Sequence, residues 1–253
     1  MKTTLFGIAL AALSSVAMAA DLPVRTEAPA PAPVFVAANN WTGFYVGIVG
    51  GYSWSSVTHC DGGSNPACGG GGSVFPSYNH NGASFGGTLG YNHQIGSTVL
   101  GLEGDLSWAN WRGSSGSNGA FGCGGGNTDR CASAIDWFAT VRARLGYSMG
   151  NTLPYLTAGL AIDRLGASIV ARSFTRTDRA HFVVGGGIEH AFTRNWSAKI
   201  EYLHIFSNGD FQYDTTQECG NPGCFLRSKD ISMVRVGLNY RFGGSAAPVV
   251  AKY

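Results

Sequence analysis

The sequence predicts an all-β fold, an eight-stranded antiparallel up-and-down transmembrane β-barrel with short periplasmic turns and long extracellular loops. Three observations predict it. The N-terminal residues have the layout of a secretory signal peptide, so the mature chain leaves the cytoplasm. Strand-like segments with one apolar and one polar face recur along the chain. Short turns alternate with long Gly-rich loops between these segments.

Residues 1–20 form the predicted signal peptide. Lys2 supplies a positive charge, an apolar run extends from Leu5 to Val16, and Ala17-Met18-Ala19 provides a cleavage site. The apolar run is too short to span a membrane as a helix. Residues 21–40 are rich in Pro and Ala, which favours an extended periplasmic linker. A peptidoglycan-binding or partner-docking role for this linker is possible, but no motif supports it.

The composition indicates that lipid forms part of the solvent. Charged residues make up 13% of the chain, which is about half the usual share. The chain also has 38 glycines and 12% aromatic residues. So little charge is poorly suited to cover the surface of an ordinary soluble domain. The net charge of +2 is too small to favour nucleic acid as a partner.

The predicted barrel, residues 41–242, is a series of strands joined alternately by short turns and long loops. In chain order the predicted strands are Phe44–Trp54, Ala83–Gln94, Thr98–Trp108, Ala134–Met149, Leu153–Arg164, Ala180–Phe192, Trp196–Phe206 and Ser232–Phe242. The short turns are Ile95-Gly96-Ser97, Gly150-Asn151-Thr152 and Thr193-Arg194-Asn195. Strict alternation of this kind is typical of an outer-membrane barrel and not of a sandwich, whose two ends carry mixed connections. A last long loop, Ser207–Lys229, precedes the final strand.

Period-two alternation assigns each strand a lipid face and a lumen face. In the last strand, the lipid face is wholly apolar: Val234, Val236, Leu238, Tyr240 and Phe242. The predicted lipid faces of the strands contain no Asp, Glu or Lys. The charged side chains predicted to face the lumen are Glu103, Asp105, Asp136, Arg142, Arg144, Asp163, Glu189, Lys199, Glu201, Arg235 and Arg241.

The signs of these lumen charges nearly cancel, and two interpretations are open. An eight-stranded barrel is just wide enough for side chains to fill its interior, which favours a plug of paired charges. The alternative is a narrow hydrophilic pore whose selectivity these charges set. Removal of a buried partner, as in Arg142→Ala or Glu103→Ala, is expected to destabilise a plugged barrel.

Aromatic residues are concentrated near both ends of the strands, as in the two interfacial girdles of membrane barrels. The residues assigned to the girdles are Trp54, Trp108, Trp137, Tyr91, Tyr147, Phe192, Trp196, Tyr240 and Phe242.

Six cysteines lie two to a long loop: Cys60 and Cys68, Cys123 and Cys131, and Cys219 and Cys224. An oxidising compartment favours disulfides, and pairing within each loop is the simplest of the possible arrangements. A metal site is the less favoured alternative, because only His59 lies beside a cysteine and there is no Cys-x2-Cys motif.

No sequence motif supports catalysis, and we expect neither an enzyme nor a cofactor. The best constellation is His204 with Ser207 and Glu201, but His204 and Glu201 have opposite parity on a strand. The aromatic residues of the loops and the histidines predicted in outer loops, His59 and His80, are the only hint of haem binding.

Arginines flank the third outer loop at Arg164, Arg172, Arg176 and Arg179. Because Arg binds phosphate in a bidentate manner, these residues could contact lipopolysaccharide in the outer leaflet. A merely solvated loop is an equal alternative.

Three segments together resemble a known family. They are Trp41–Gly47 (WTGFYVG), Asn195–Leu203 (NWSAKIEYL) and Val234–Phe242 (VRVGLNYRF). The chain is similar to the small outer-membrane β-barrel proteins of alphaproteobacteria, often grouped as porin-family or surface-antigen proteins. The resemblance implies an eight-stranded barrel that supports envelope integrity and is exposed at the surface, and in some members binds haem or acts in adhesion.

The chain departs from the usual pattern at its end, because such barrels usually finish on the aromatic residue that the barrel-assembly machinery reads. Here Phe242 is followed by a Gly/Ala/Pro tail, residues 243–253. We expect the machinery to read Phe242 internally, because Tyr253 has no alternating strand before it. Three functions therefore stay open: a structural surface barrel, which is favoured, a small-solute porin, and a surface receptor or adhesin that acts through its loops.

Overall fold

A computed structural model describes residues 39–61, 77–115, 131–169, 175–207, 210–214 and 224–242. The predicted signal peptide and the C-terminal tail lie outside these ranges. Within the ranges, no helix is long and apolar enough to cross a membrane.

Within the described residues, ten β-strands form one antiparallel sheet. They are β1 Gly43–Asp61, β2 Tyr78–Ile95, β3 Thr98–Ser114, β4 Cys131–Tyr147, β5 Thr152–Ile169, β6 Thr175–Ala191, β7 Trp196–Phe206, β8 Asp210–Asp214, β9 Cys224–Ser228 and β10 Ile231–Arg241. Strands β1 to β7 pair with their neighbours in sequence, β10 pairs with β7, and β10 also pairs with β1. This last pairing runs from Tyr45↔Arg241 to Trp54↔Ser232 and closes the predicted eight-stranded barrel.

The three short turns lie at one end of the barrel, where they were predicted. Gly96 and Gly150 have φ angles of 59° and 67°, which a glycine adopts without steric cost. In the third turn, the Thr193 hydroxyl accepts a hydrogen bond of 2.9 Å from the backbone N–H of Trp196. The first and last strands also meet at this end, because the N–H of Phe242 donates to the carbonyl of Phe44 at 2.8 Å.

The outward face of the barrel is an apolar band with aromatic residues at both edges. Near the short turns, Tyr240 contacts both Trp196 and Phe242, with ring centroids 5.2 and 5.1 Å away. Near the long loops, Trp108 is 71% exposed and Trp54 is 45% exposed. Such large exposed apolar side chains are expected where lipid, and not water, covers the surface.

Several strands continue past their predicted ends on the long-loop side. In these extensions the polarity of the two faces reverses, so that the inward face is apolar and the outward face is polar. On β3, Ala109 and Trp111 point inward and are buried, whereas Asn110 and Arg112 point outward and are exposed. A polar outer face and an apolar inner face are what water outside a barrel requires. The predicted strands were too short because their ends were assigned where the outward face stops being apolar.

Two further differences lie near this end of the barrel. The segment predicted as one long loop between β7 and β10 contains the hairpin β8–β9, and β9 pairs with the end of β1. A β-bulge also shifts the register of β4 between Ile135 and Phe138. Since a shift of one residue exchanges the two faces of a strand, the predicted faces hold on only one side of this bulge.

Candidate functional site

The interior of the barrel carries most of the predicted lumen charges, and they are deeply buried. Arg142, on β4, lies at the centre. Its guanidinium contacts Glu103 at 2.6 Å, Asp105 at 3.0 Å and Glu201 at 2.9 Å. Its side chain has no exposed surface. One cation therefore joins carboxylates from β3, which precedes β4 in the chain, and from β7, which follows it.

Two further cations bind the same carboxylates, and together these six side chains form what we call the charge cluster. Arg235 contacts Asp105 at 2.8 Å and Glu201 at 2.7 Å, and Lys199 contacts Glu103 at 2.7 Å. Arg142, Arg235 and Lys199 thus balance the three carboxylates. Pairing of this kind is needed because an isolated charge in a low-dielectric interior is very costly.

Two tyrosines extend the charge cluster towards the short-turn end. Tyr45 donates a hydrogen bond to Glu103 at 2.8 Å, and Tyr155 donates to Glu201 at 3.4 Å. The Tyr45 ring fits only because its neighbour on β2 is Gly90. A Cβ atom at position 90 would lie 2.3 Å from Cζ of that ring.

Gly90→Ala is therefore expected to displace the Tyr45 ring and to lower the free energy of unfolding by about 1–3 kcal/mol. Urea titration of the refolded protein in lipid vesicles measures this change. The matched control is Gly87→Ala on the same strand, where the nearest atom to the added Cβ is the Gly47 carbonyl oxygen at 3.8 Å. Equal losses in the two variants would contradict the role assigned to Gly90.

A second ion pair lies beside the cluster. Arg144 pairs with Glu189, and its guanidinium carbon lies 3.6 Å from the centroid of the Tyr155 ring. Ser197 and Asn239 also donate hydrogen bonds to Glu189, at 2.5 and 3.0 Å. These contacts bring together residues from β4, β5, β6, β7 and β10 within the interior.

The short-turn end of the interior is covered by Trp41, which precedes β1 and is fully buried. Its backbone N–H donates to Gln94 at 2.8 Å, and its indole N–H donates to the Gly150 carbonyl at 3.3 Å. The predicted lumen charge Arg241 lies over the Trp41 ring at 4.6 Å and donates to the carbonyl of Asn40 at 2.6 Å. Arg241 is thus held by an aromatic ring and a backbone carbonyl at the short-turn end of the interior.

The long-loop half of the interior is an apolar cluster that the sequence analysis missed. Trp111 stacks on Phe138 with ring centroids 4.9 Å apart, and both side chains are about 1% exposed. Other members of this cluster include Val57, Ile135, Leu165, Val183, Leu203, Ile205, Leu226, Ile231 and Met233. The signal was present in the sequence as apolar residues at inward-facing positions at the level of the outer girdle and beyond it.

The two remaining predicted lumen charges lie apart from the cluster. Asp163 is buried and pairs with Arg179 at 2.9 Å, beside the apolar cluster. Asp136 differs from its prediction, because its side chain is 34% exposed and contacts Arg112 at 2.9 Å and Arg176 at 3.5 Å, both of which are more than half exposed. The bulge in β4 explains this difference, since it reverses the parity of the residues on its long-loop side.

The histidines considered for haem or catalysis are also placed differently. His80 lies on β2 beyond the outer girdle, not in a loop; it is 4% exposed, and burial lowers the pKa of its imidazole. Nothing is described for the side chain of His59. The imidazole of His204 contacts Ser232 at 3.2 Å and Asp230 at 3.3 Å, whereas Glu201 faces the interior, in keeping with the opposite parity of these two residues. Among the described residues, no group of three or more His, Cys, Asp or Glu side chains could hold a metal ion.

Only one of the six cysteines has a described side chain. Cys131, at the start of β4, is disulfide-bonded and fully buried. The side chains of Cys60, Cys68, Cys123, Cys219 and Cys224 lie outside what the structure describes. Pairing within each loop therefore stays a prediction.

Comparison with known proteins places this architecture in a family. Residues 6–242 match the family model described as outer membrane protein beta-barrel domain. The chain is 34% identical over 257 residues to the 31 kDa outer-membrane immunogenic protein of Brucella melitensis, covering 96% of this chain and 100% of that protein. It is 30% identical to the 22 kDa outer membrane protein of Rhizobium leguminosarum, covering 81% of this chain and 80% of that protein.

A solved structure with the same fold is the outer membrane protein OprG from Pseudomonas aeruginosa. It has a TM-score of 0.56 and 12% sequence identity, with 81% of this chain and 98% of that chain covered. This likeness concerns the fold alone. The family match and the two relatives identify the chain as a protein of the bacterial outer membrane that belongs to the outer membrane protein β-barrel family.

Proposed function

We propose that this protein is a structural barrel that supports the outer membrane, presents its loops at the cell surface and does not conduct solutes. The observation that carries the proposal is that the interior is filled along its length. Trp41 covers the short-turn end, the charge cluster occupies the middle, and the apolar cluster around Trp111 and Phe138 occupies the long-loop half. No reaction is assigned to it.

Burial of the charges argues against a water-filled pore. Charges that set the selectivity of a channel face water, as rings of charged side chains do. Here the side chains of Arg142 and Arg235 are 0% and 1% exposed, and those of Asp105 and Glu201 are also 0% exposed. Because each of these groups is already satisfied by a partner, an ion crossing the barrel would have to break buried ion pairs.

A surface position for the loops is supported by the relatives. The names of the Brucella proteins describe them as outer-membrane immunogenic proteins, and loops exposed at the cell surface would be accessible to antibodies. In this proposal the barrel anchors the loops, and the final strand with Phe242 is the segment that the barrel-assembly machinery recognises.

Single-channel conductance of the refolded, disulfide-intact protein in a planar bilayer tests the proposal. We expect no stable conductance from the wild-type protein, because apolar side chains fill the interior outside the charge cluster. Circular dichroism of the same preparation establishes that the barrel is folded.

Glu103→Gln and Arg142→Gln variants accompany the wild type in this experiment. Both are expected to stay silent, since neither change opens the apolar cluster or removes Trp41. Stable conductance with an ion preference that changes between the two variants would overturn the proposal and identify a small-solute porin.

A further inference from the structure

The outward face of the barrel carries a second group of charges directly beyond the outer aromatic girdle. Three arginines and two aspartates form this outer ionic patch: Arg112, Asp136, Arg164, Arg176 and Asp178. They belong to the adjacent strands β3 to β6, and their side chains are 34–56% exposed. Arginines outnumber aspartates in the patch, so it is net positive.

Asp136 connects the two outermost arginines of the patch. Its carboxylate contacts Arg112 at 2.9 Å and Arg176 at 3.5 Å. Arg176 reaches it across β5, where its register partner is Gly166, a residue without a side chain that could block the way. The bulge in β4 is what turns Asp136 outward to meet them. The carboxylate therefore holds two guanidinium groups close together on one surface.

Arg164 places the patch at the height of the membrane interface. It contacts Asp178 at 2.7 Å, and its guanidinium carbon lies 5.4 Å from the centroid of the Trp137 ring. Trp137 lies opposite Trp108 in the register of β3 and β4, so both belong to the outer girdle. Because girdle aromatics lie at the level of the lipid headgroups, the patch meets the headgroups of the outer leaflet.

The ion pairs of the patch do little for stability, because solvent and salt screen the attraction between exposed charges. They do leave capacity for a ligand. A guanidinium has five N–H donors, and the Asp contacts of Arg112 and Arg176 use one each, whereas those of Arg164 use two. Arg112 also donates its Nε–H to the side-chain oxygen of Asn110 at 3.2 Å. The donors that are left on the three exposed arginines are available to phosphates, which Arg binds in a bidentate manner.

We infer that the outer ionic patch is a binding site for the phosphate groups of an outer-leaflet lipid, namely lipopolysaccharide. Arg112, Arg164 and Arg176 contact the phosphates, and Asp136 and Asp178 orient the guanidinium groups. The inference rests on the location in the outer membrane and not on the filled interior, so it can fail without affecting the proposed function.

Thermal unfolding of the refolded full chain in detergent micelles tests the site. The variant is Arg112→Gln/Arg164→Gln/Arg176→Gln, and the matched control is Arg194→Gln, an exposed arginine in a short turn at the opposite end of the barrel. Lipopolysaccharide binding to the native state raises the unfolding temperature. We expect this increase in the wild type and in the control, and about half of it or less in the triple variant.

Two additives identify the group that is bound. Dephosphorylated lipopolysaccharide keeps the acyl chains, and we expect it to affect the wild type and the triple variant equally. Inorganic phosphate alone is expected to give no increase, because the site lies at a lipid interface. An equal response of all proteins to intact lipopolysaccharide would overturn the inference, and so would an increase produced by inorganic phosphate alone.

The variant is expected to fold, because all three side chains are at least 43% exposed and substitutions at such surface positions usually have little effect on stability. Arg112→Gln provides a milder second variant that removes one ion pair. It is expected to lose a smaller part of the increase produced by lipopolysaccharide, and an unchanged increase in this variant would remove Arg112 from the site.

Discussion

Arg142→Ala is expected to lower the free energy of unfolding by about 3–5 kcal/mol, because it leaves buried carboxylates without their shared cation. The Arg142 guanidinium contacts Glu103, Asp105 and Glu201 within 3.0 Å. After the substitution, Arg235 and Lys199 alone must neutralise these three carboxylates. Urea titration in lipid vesicles, followed by tryptophan fluorescence, measures the loss.

Two comparisons isolate the role of the buried charge. Arg194→Ala removes an exposed arginine in a short turn and is expected to change stability by about 0.5 kcal/mol or less. Arg142→Lys keeps the charge but not the branched donor group, so an intermediate loss is expected. A loss for Arg142→Ala as small as that for Arg194→Ala would mean that water reaches the charge cluster and replaces the missing cation.

Trp111→Ala is expected to cost about 3–5 kcal/mol, the range observed when large aromatic residues in cores are truncated. Trp111 is 1% exposed and stacks on Phe138 in the apolar cluster. Its removal leaves a cavity that the barrel wall cannot collapse to fill, because the strands are fixed by their hydrogen-bonded neighbours. The same urea titration measures this loss.

The matched control is Trp108→Ala, three positions earlier on the same strand. Trp108 is 71% exposed on the outward face, where lipid chains fill the space that the ring leaves, so a clearly smaller loss is expected. Trp111→Phe keeps a stacked ring and is expected to lose less than Trp111→Ala. Equal losses for Trp108→Ala and Trp111→Ala would show that the apolar cluster is not a packed core.

The outer surface of the barrel was largely predictable, because lipid acts on every strand in the same way. Each strand within the membrane must present apolar side chains at alternate positions, and the last strand from Val234 to Phe242 shows this pattern. The short turns were predictable for a local reason also. Gly96 and Gly150 adopt positive φ angles, which glycine tolerates and most residues do not.

The interior was predictable only in part. The sequence indicated most of the charges that point inward, but the cluster joins residues as distant as Glu103 and Lys199, which are 96 positions apart. Which of these residues meet depends on the stagger of the strands around the closed barrel, and no local pattern specifies that stagger. The outward position of Asp136 was missed for a related reason, since a bulge is a property of pairing between strands.

The sequence by itself determined the cellular location of the chain, the number of membrane strands, their outward faces and the residue types available to the interior. Only the tertiary structure decided that Trp41 covers one end, that Arg142 joins three carboxylates, and that an apolar cluster fills the long-loop half. The physical reason is that the same lipid surrounds every membrane strand, so each strand must present apolar side chains at its outward positions. The partners of an inward side chain are instead particular residues on other strands, brought to the same height only when the barrel closes.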